Sequence, residues 1–194
     1  MRPMMKEREI RIIENALLGR KQTRLNILEW GCGGSTAHFP KVLSRHGIDH
    51  RWLSIEHDKD WFLSVSEDLK DEKNVDLFLI EALGGNPRDP ACRMDEYVSF
   101  PSTLERKFDM ILVDGRKRRR CLLEAKHLLA PGGVVFLHDA HRRRYHCALA
   151  VYPDSLFLTR DLWRGTNEAP PWGAKMRNWA LSVIRLRLGK LREK

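Results

Sequence analysis

Short apolar runs alternate with amphipathic stretches along most of the chain. Five runs are dominated by apolar residues and predict buried strands, at residues 25–28, 51–56, 75–81, 108–114 and 133–139. Apolar residues at helical spacing predict helices at residues 5–18, 36–46, 58–70 and 117–130. Strands and helices in alternation are typical of right-handed crossovers and of a mostly parallel sheet covered on both faces. The fold class predicted is therefore α/β.

The pattern changes after residue 140. Residues 155–163 and 178–188 are two further strand-like runs, separated by a loop with Pro170, Pro171 and Gly173. They predict a C-terminal antiparallel hairpin over residues 155–188, which brings the sheet to seven strands. In the second run Ile184, Leu186 and Leu188 alternate with arginines, which favours a strand. The alternative is a basic amphipathic helix that lies on a membrane surface.

Length and composition predict one globular domain over residues 1–194, with an amphipathic N-terminal helix inside residues 1–20. The chain is 42% hydrophobic and 31% charged, which lies outside the range of disordered chains. Residues 82–107 contain several glycines and prolines and show little periodicity. A connection of this length inside a compact domain usually takes part in function.

Hydropathy, cysteine spacing and charge limit the expected location and partners of the protein. No apolar run is long enough to span a membrane, and no signal peptide is evident, so a cytoplasmic location is expected. The four cysteines are widely spaced, which favours reduced thiols over disulfides or a zinc site. Residues 116–194 hold 18 Lys and Arg against 6 Asp and Glu, so the basic surface of this chain of net charge +9 belongs to its C-terminal part. Such a field favours a polyanionic partner.

Acidic residues stand near the end of each predicted parallel strand: Glu29, Glu56, Glu81, Asp114 and Asp139. In open parallel sheets, ligands bind beyond these carboxyl ends, at the point where the strand order reverses. A glycine-rich turn, Gly31-Cys32-Gly33-Gly34-Ser35-Thr36, follows the first strand. It lacks the third glycine of a dinucleotide fingerprint and the Lys-Ser or Lys-Thr of a phosphate loop. Carboxylates aimed at a pyrophosphate would also repel it.

The ligand that suits carboxylates beside an exposed backbone is a small cation that carries a ribose, such as S-adenosylmethionine (SAM). The segment ILEWGCGGST, residues 27–36, resembles the first motif of the class I SAM-dependent methyltransferases, and the resemblance extends over roughly residues 25–140. It implies a Rossmann-like class I methyltransferase fold. In that family the acidic residue before the glycines helps to hold the methionine end of SAM, and the residue here is Glu29.

The same resemblance implies roles for other positions. Glu56 matches the residue that binds both ribose hydroxyls, His57 would flank the adenine, and Glu81-Ala82 would contact the adenine amino group. Asp114 matches the position that faces the sulfonium and the acceptor. The full cofactor-binding set implied is Glu29, Gly31, Cys32, Gly33, Gly34, Ser35, Thr36, Glu56, His57, Glu81, Ala82, Asp114 and Gly115.

The chemistry expected is methyl transfer, most readily to oxygen. The segment VDGRKRRR, residues 113–120, differs from the NPPY or DPPY motif of methyltransferases that act on nucleobase amino groups. It loosely resembles a group of polysaccharide O-methyltransferase-like domains. Asp114, His138 and Asp139 are the candidate catalytic residues, with His138 as a base because of the usual pKa of imidazole. His138 could instead be a hydrogen-bonded core residue.

A divalent metal held by Asp114 and Asp139, with His141 near in sequence, is a further possibility that the sequence leaves open. Arg116 and Arg118 are predicted to bind an anionic acceptor, a small molecule or glycan, at a site bordered by the acceptor-side loop of residues 82–107. The arginine runs are equally compatible with a solvated surface. Two alternatives stay open: a methyltransferase of RNA or other nucleic acid, and a non-catalytic module that retains the SAM pocket.

Overall fold

The structure is a computed structural model that describes residues 1–20, 22–82, 85–87, 89 and 91–191, with the side chains of 188–191 excluded. Its strands are β1 (Leu25–Trp30), β2 (His50–Glu56), β3 (Val75–Leu79), β4 (Phe108–Val113), β5 (Leu129–His138), β6 (Asp154–Phe157) and β7 (Leu162–Thr166). The helices are α1 (Glu7–Leu18), α2 (Gly34–Arg45), α3 (Lys59–Asp68), α4 (Asp95–Ser99), α5 (Arg118–Leu128), α6 (His146–Leu149) and α7 (Trp172–Leu191). Two 3₁₀ segments lie at Phe100–Leu104 and Arg143–Tyr145.

All seven strands join one sheet in the order β3-β2-β1-β4-β5-β7-β6. The first five are parallel, whereas β7 runs antiparallel to β5 and β6 antiparallel to β7. The predicted α/β fold with a mostly parallel, seven-stranded sheet and a C-terminal antiparallel hairpin is confirmed. From β1 the sheet grows outward through β2 and β3 on one side and through β4 and β5 on the other, so the strand order reverses between β1 and β4. Such a reversal leaves a crevice above the carboxyl ends of these two strands.

Alternation of side chains along the strands builds a core on each face of the sheet. Leu28 and Trp30 of β1 belong to the cluster on one face, while Leu25 and Ile27 belong to the other. Helix α1 adds to the second cluster, where Ile13 and Leu17 are fully buried, as their spacing predicts. The sheet is thus buried on both sides, as parallel sheets require.

The hairpin does not have the predicted bounds of residues 155–188. Its two strands are β6 and β7, which together span the first predicted run and extend one residue before it and three residues after it. Residues 178–188 belong to helix α7. This helix lies along the open edge of β6, where Ser182 Oγ accepts a hydrogen bond from Phe157 N and the Arg185 side chain donates to Phe157 O. A helix that satisfies the backbone of the edge strand protects it from further pairing, and local alternation could not reveal this tertiary role.

The described part of residues 82–107 contains regular structure that its composition does not suggest. They contain α4 and the 3₁₀ segment Phe100–Leu104, and Tyr97 of α4 is fully buried, with its carbonyl accepting a hydrogen bond from Trp30 Nε1 at 3.0 Å. Residues 83, 84, 88 and 90, which include Gly84 and Pro90 of the predicted loop, lie outside the described residues. None of the helices in the described ranges is both long and apolar enough to cross a membrane.

Candidate active site

A cavity of about 570 Å³ opens above the carboxyl ends of β1, β2, β4 and β5. It therefore lies at the switch in strand order, where the acidic strand ends were expected to meet. Glu56 and Asp114 stand on two of its sides, and the glycine turn lies between them. Its described lining consists of Met1, Arg2, Met4, Gly31, Cys32, Gly33, Gly34, Ser35, Glu56, His57, Asp58, Trp61, Asp114, Gly115, Arg116, Arg118, His138 and Asp139.

Two glycines allow the loops after β1 and β4 to touch. Gly31 has a φ of +97°, which L residues rarely adopt, and a Cβ placed on it would lie 2.6 Å from Gly115 Cα. Gly115 is equally constrained, because a Cβ there would collide with the hydroxyl of Tyr97. The contact leaves backbone, and no side chain, at the floor of the cavity between these loops.

Glu29 lies behind the glycine turn rather than in the cavity. Its carboxylate is fully buried and accepts hydrogen bonds from Thr36 Oγ1 at 2.6 Å, Trp52 Nε1 at 2.9 Å and Ser54 Oγ at 3.1 Å, and from Ser35 Oγ. Burial raises the pKa of Glu29 to about 7, although the Ser35, Thr36 and Trp52 hydrogen bonds oppose the rise. The expected contact between Glu29 and the methionine end of SAM does not fit this position. The carboxylate instead binds the hydroxyls of Ser35 and Thr36 and so stabilises the first turn of α2.

Glu56 is held in one orientation by three backbone amides. Its Oε1 accepts from His57 N at 2.8 Å and Asp58 N at 3.0 Å, and its Oε2 accepts from Cys32 N at 3.1 Å. Glu56 also lines the cavity, so the backbone amides fix a carboxylate at its wall. His57, beside it, makes an edge contact with Tyr97 at 5.9 Å between ring centroids.

Five residues that the sequence did not single out for the site also line the cavity: Met1, Arg2, Met4, Asp58 and Trp61. Trp61 of α3 donates from Nε1 to the carbonyl of Cys32 at 2.7 Å and lies over Gly33. Met1, Arg2 and Met4 come from the N-terminal segment, which crosses the turn so closely that a Cβ on Gly34 would collide with the Arg2 carbonyl. No local signal in the sequence brings residues 1–4 to the glycine turn.

Arg118 links the loops that follow β4 and β5. Its guanidinium donates to the carbonyls of Asp114 (2.6 Å) and His138 (2.6 Å), and its Nε donates to that of Gly115 (2.9 Å). It also pairs with the carboxylates of Asp114 at 2.9 Å and Asp139 at 3.2 Å. Because Arg118 is buried and its donors are engaged, it organises the site, whereas the predicted role was to bind the acceptor. Arg116 lines the cavity and is more exposed.

His138 lies between two carboxylates. Its Nδ1 is 3.1 Å from Asp114 Oδ1, and its Nε2 is 3.7 Å from Glu9 Oε2, which reaches the site from α1. Burial would lower the pKa of His138, but hydrogen bonds with Asp114 and Glu9 outweigh it and raise the pKa to about 10. The ring is therefore an imidazolium at neutral pH, and the expected role as a proton acceptor does not fit it.

The remaining candidate residues divide into those at the cavity and those outside it. Asp139 faces the cavity in a left-handed conformation, φ +56°, held by Arg118 and by Arg142 at 2.7 Å. Burial raises the pKa of Cys32 well above its usual range, which keeps it a thiol. Ser35 lines the cavity and Thr36 does not. Glu81 and Ala82 follow β3 and lie outside the described lining of the cavity.

The structure offers no support for the metal site that the sequence left open. Within the described ranges, no group of three or more His, Cys, Asp or Glu residues is arranged to hold an ion. Asp114 and Asp139 direct carboxylate oxygens at Arg118, and His141 lies 2.6 Å from Asp161 instead of joining them.

A second, basic groove adjoins the cavity, and Arg118 lines both. It encloses about 370 Å³ and is formed by Ala91, Cys92, Arg93, Asp95, Lys117, Arg118, Arg119, Arg120, Arg144 and Tyr145. Asp95, its one acidic member among the described residues, is shared by Arg93 and Arg120. Arg119 is exposed, and Arg144 lies over the ring of Tyr145 at 5.1 Å. The excess of positive charge favours an anion in this groove.

Comparisons with known proteins agree with this architecture. The chain is similar to the crystal structure of a methyltransferase-like protein from Silicibacter pomeroyi DSS-3, with a TM-score of 0.63 and 21% identity over 93% of this chain and 97% of the other. It is also similar to an O-methyltransferase from Streptomyces achromogenes solved with SAM, with a TM-score of 0.57 and 20% identity over 82% and 79% of the two chains. At these identities the likeness shows a shared fold. No curated protein matches the sequence significantly.

The sequence itself identifies the family. The model of a methyltransferase domain matches residues 28–140, more than half of the chain. This match covers the glycine turn, Glu56, Asp114 and His138, and thus most of the cavity described above. The chain therefore belongs to the class I SAM-dependent methyltransferases.

Proposed function

We propose that this methyltransferase transfers the methyl group of SAM to an oxygen atom of an anionic small molecule or glycan. The observation that carries the proposal is the junction, through Arg118, of a cavity suited to SAM with a basic groove suited to an anionic acceptor. SAM, when bound, supplies an electrophilic methyl group. The contribution of this chain is to hold SAM and the acceptor, to exclude water and to manage the proton of the acceptor.

The residues of the larger cavity suit SAM. A turn in which Gly31 and Gly115 leave only backbone allows a close approach to the methionine end. The Glu56 carboxylate at the cavity wall suits the hydroxyls of the ribose, and the exposed edge of Trp61 offers an apolar surface for the adenine. Asp58 and Asp114 add negative charge near a ligand that carries an ammonium and a sulfonium.

The acceptor is placed by the basic side of the site. Arg116 lines the SAM cavity, while Arg119 and Arg144 line the adjoining groove. Guanidinium groups bind carboxylate and phosphate through paired hydrogen bonds, so an acceptor with one such group in the groove would direct its hydroxyl toward Asp114. The acceptor-side loop supplies the opposite wall through residues 91–93 and Asp95.

A carboxylate, that of Asp114, accepts the hydroxyl proton of the acceptor. Asp114 Oδ1 faces the His138 imidazolium and Arg118, whereas Oδ2 makes no hydrogen bond to any described residue. Oδ2 is thus available for the hydroxyl proton as the oxygen attacks the methyl group. His138 holds Asp114 in place and offsets its charge.

The cofactor part is tested by calorimetric titration of SAM into the protein and into Glu56→Ala. We expect binding by the parent protein and a loss of at least tenfold in affinity for the variant. Glu67→Ala, an exposed substitution on α3, is the matched control and should bind as the parent does. No heat with the parent protein would contradict the enzymatic proposal and favour a module without catalysis.

The acceptor part is tested by transfer of radiolabel from SAM to extracted glycans, to small carboxylated phenols and to total RNA. Label in the glycan or phenol pools, reduced at least tenfold by Arg119→Glu combined with Arg144→Glu, supports the proposal. The basic groove also favours a second candidate, RNA. Label that enters RNA with a steep dependence on salt would replace the preferred acceptor class by that candidate.

A further inference from the structure

Helix α7 carries an apolar surface that no described residue covers. Its most exposed large side chains are Trp172 at 78%, Trp179 at 64%, Ile184 at 49% and Met176 at 48%. Trp172, Met176 and Trp179 recur at intervals of four and three, so they lie on one side of the helix over two turns. Ala180 and Val183 extend the same side by a further turn.

The opposite side of α7 is already occupied by the sheet. Asn178 Nδ2 donates to Asp154 Oδ1 at 2.8 Å, Ser182 Oγ accepts from Phe157 N at 3.0 Å, and Arg185 donates to Phe157 O at 2.8 Å. These three residues also follow intervals of four and three. The helix is therefore fixed along β6, and its apolar residues are directed away from the sheet.

The charge of α7 is of one sign. The sequence from Trp172 to Leu191 contains Lys175, Arg177, Arg185, Arg187 and Lys190 and no Asp or Glu. Lys175, Arg177 and Arg187 are exposed. Helical spacing places Lys175 and Arg177 on either side of the apolar stripe, and Arg187 one turn beyond it. Long basic side chains beside an apolar surface keep their charges in water while their methylene groups extend that surface.

Tryptophan, bulky apolar residues and flanking cations on one exposed helix face are the features of helices that lie in the headgroup region of a bilayer. We propose that the outer face of α7, formed by Trp172, Met176, Trp179, Val183 and Ile184, binds the surface of membranes that contain anionic lipid. This inference goes beyond the proposed methyl transfer and does not depend on the identity of the acceptor.

The geometry favours a membrane over the other anionic partners. A protein that encloses a basic helix needs access to both of its sides, and β6 blocks one of them. A nucleic acid would engage the cations first and would leave Met176 and Ile184 in water. A flat, anionic and partly apolar surface contacts the apolar stripe and the cations together.

The test uses the full chain with large unilamellar vesicles of phosphatidylcholine, either pure or with 30% phosphatidylglycerol. We expect sedimentation with the anionic vesicles and little with the neutral ones. Trp172→Ser combined with Trp179→Ser should lower the partition coefficient at least tenfold. Leu63→Ser combined with Leu123→Ser, which alters exposed apolar residues on α3 and α5, is the matched control and should bind as the parent does.

Insertion is checked separately from adsorption. Lipids brominated in their acyl chains should quench part of the tryptophan emission of the parent protein, and this quenching should disappear in the double tryptophan variant. Binding that is unaffected by the tryptophan changes but lost with Lys175→Glu and Arg177→Glu would show charge adsorption alone and overturn the proposal. Absence of binding to the anionic vesicles, or binding to RNA through the same tryptophans without binding to vesicles, would also overturn it. SAM titration of each variant shows whether the cofactor site is intact, so the outcomes for α7 and for methyl transfer are distinguished.

Discussion

His138 Nδ1 lies 3.1 Å from Asp114 Oδ1, where His138 ends β5 and Asp114 directly follows the neighbouring strand β4. An imidazole next to a carboxylate at the mouth of an active site often serves as a base, but Glu9 approaches the other ring nitrogen from α1. A ring between two carboxylates retains its proton. The relationship therefore makes His138 a fixed positive charge that orients Asp114.

The first prediction concerns this charge. The pKa of His138 is raised to about 10 by Asp114 and Glu9 against the effect of burial, so the folded state binds its proton more tightly than the unfolded state does. The resulting stabilisation is complete below about pH 6.5, the unfolded value, and is lost as pH rises toward 10. NMR titration of the ring should show an imidazolium at pH 8. The unfolding free energy of His138→Gln should vary less between pH 7 and 10 than that of the parent, and a ring that titrates near 6.5 would contradict the assignment.

The second prediction concerns Glu29, whose pKa is raised to about 7, chiefly by burial. The folded state favours the protonated carboxyl, so its contribution to stability is greatest below about pH 4.5 and declines as pH rises through 7. Glu29→Gln imitates the protonated form. Between pH 4.5 and 8 the parent should lose on the order of 3 kcal/mol of unfolding free energy relative to this variant, measured by urea denaturation. Glu67→Gln, at an exposed site, should show no such difference.

The third prediction concerns Arg118. Its replacement by Met would leave Asp114 and Asp139 without their shared cation and three carbonyls without a donor, at a cost of about 3 kcal/mol in unfolding free energy. Methyl transfer should fall at least a hundredfold. Arg118→Lys should not restore it, because an ammonium cannot span the same set of acceptors. Arg119→Ala, on the exposed side of the same helix turn, should change the unfolding free energy by less than about 0.5 kcal/mol. Full activity in Arg118→Lys would show that this geometry is dispensable.

The fourth prediction concerns the contact between Gly31 and Gly115. Gly31→Ala puts a Cβ 2.6 Å from Gly115 Cα at a φ of +97°, so the loops must separate and the backbone is strained by about 1 to 3 kcal/mol. SAM affinity measured by calorimetry should fall at least a hundredfold. Gly173→Ala, where no atom lies within 4 Å, should retain the parent affinity. An unchanged affinity in Gly31→Ala would mean that SAM does not approach this turn.

Much of the sheet could be predicted from the sequence because its central strands are buried on both faces. Runs such as the one that forms β4 contain almost nothing but apolar residues, and such runs are distinctive. The exception is instructive. Residues 178–188 alternate like a strand, yet they form part of α7, because Asn178, Ser182 and Arg185 meet the edge of β6 only at helical spacing. That requirement is tertiary and leaves no mark in a short window.

The site was predictable where the acidic strand ends and the glycines converge, and less so where a role depends on distant partners. Glu56 and Asp114 lie at the cavity as expected. Glu29 turned inward because Ser35, Thr36 and Trp52 offer it hydrogen bonds, and Arg118 turned inward because two carboxylates and three carbonyls surround it. The protonation of His138 depends on Glu9, which is 129 positions away in the chain.

Arg118 has a consequence for how such an enzyme could change its preference among acceptors. Since one guanidinium binds both loops, a substitution that moves either loop would also displace the other. Arg119 and Arg144 hold no second loop in place and form the outer wall of the basic groove. Substitutions that alter specificity, in nature or in the laboratory, should therefore be best tolerated on that outer wall.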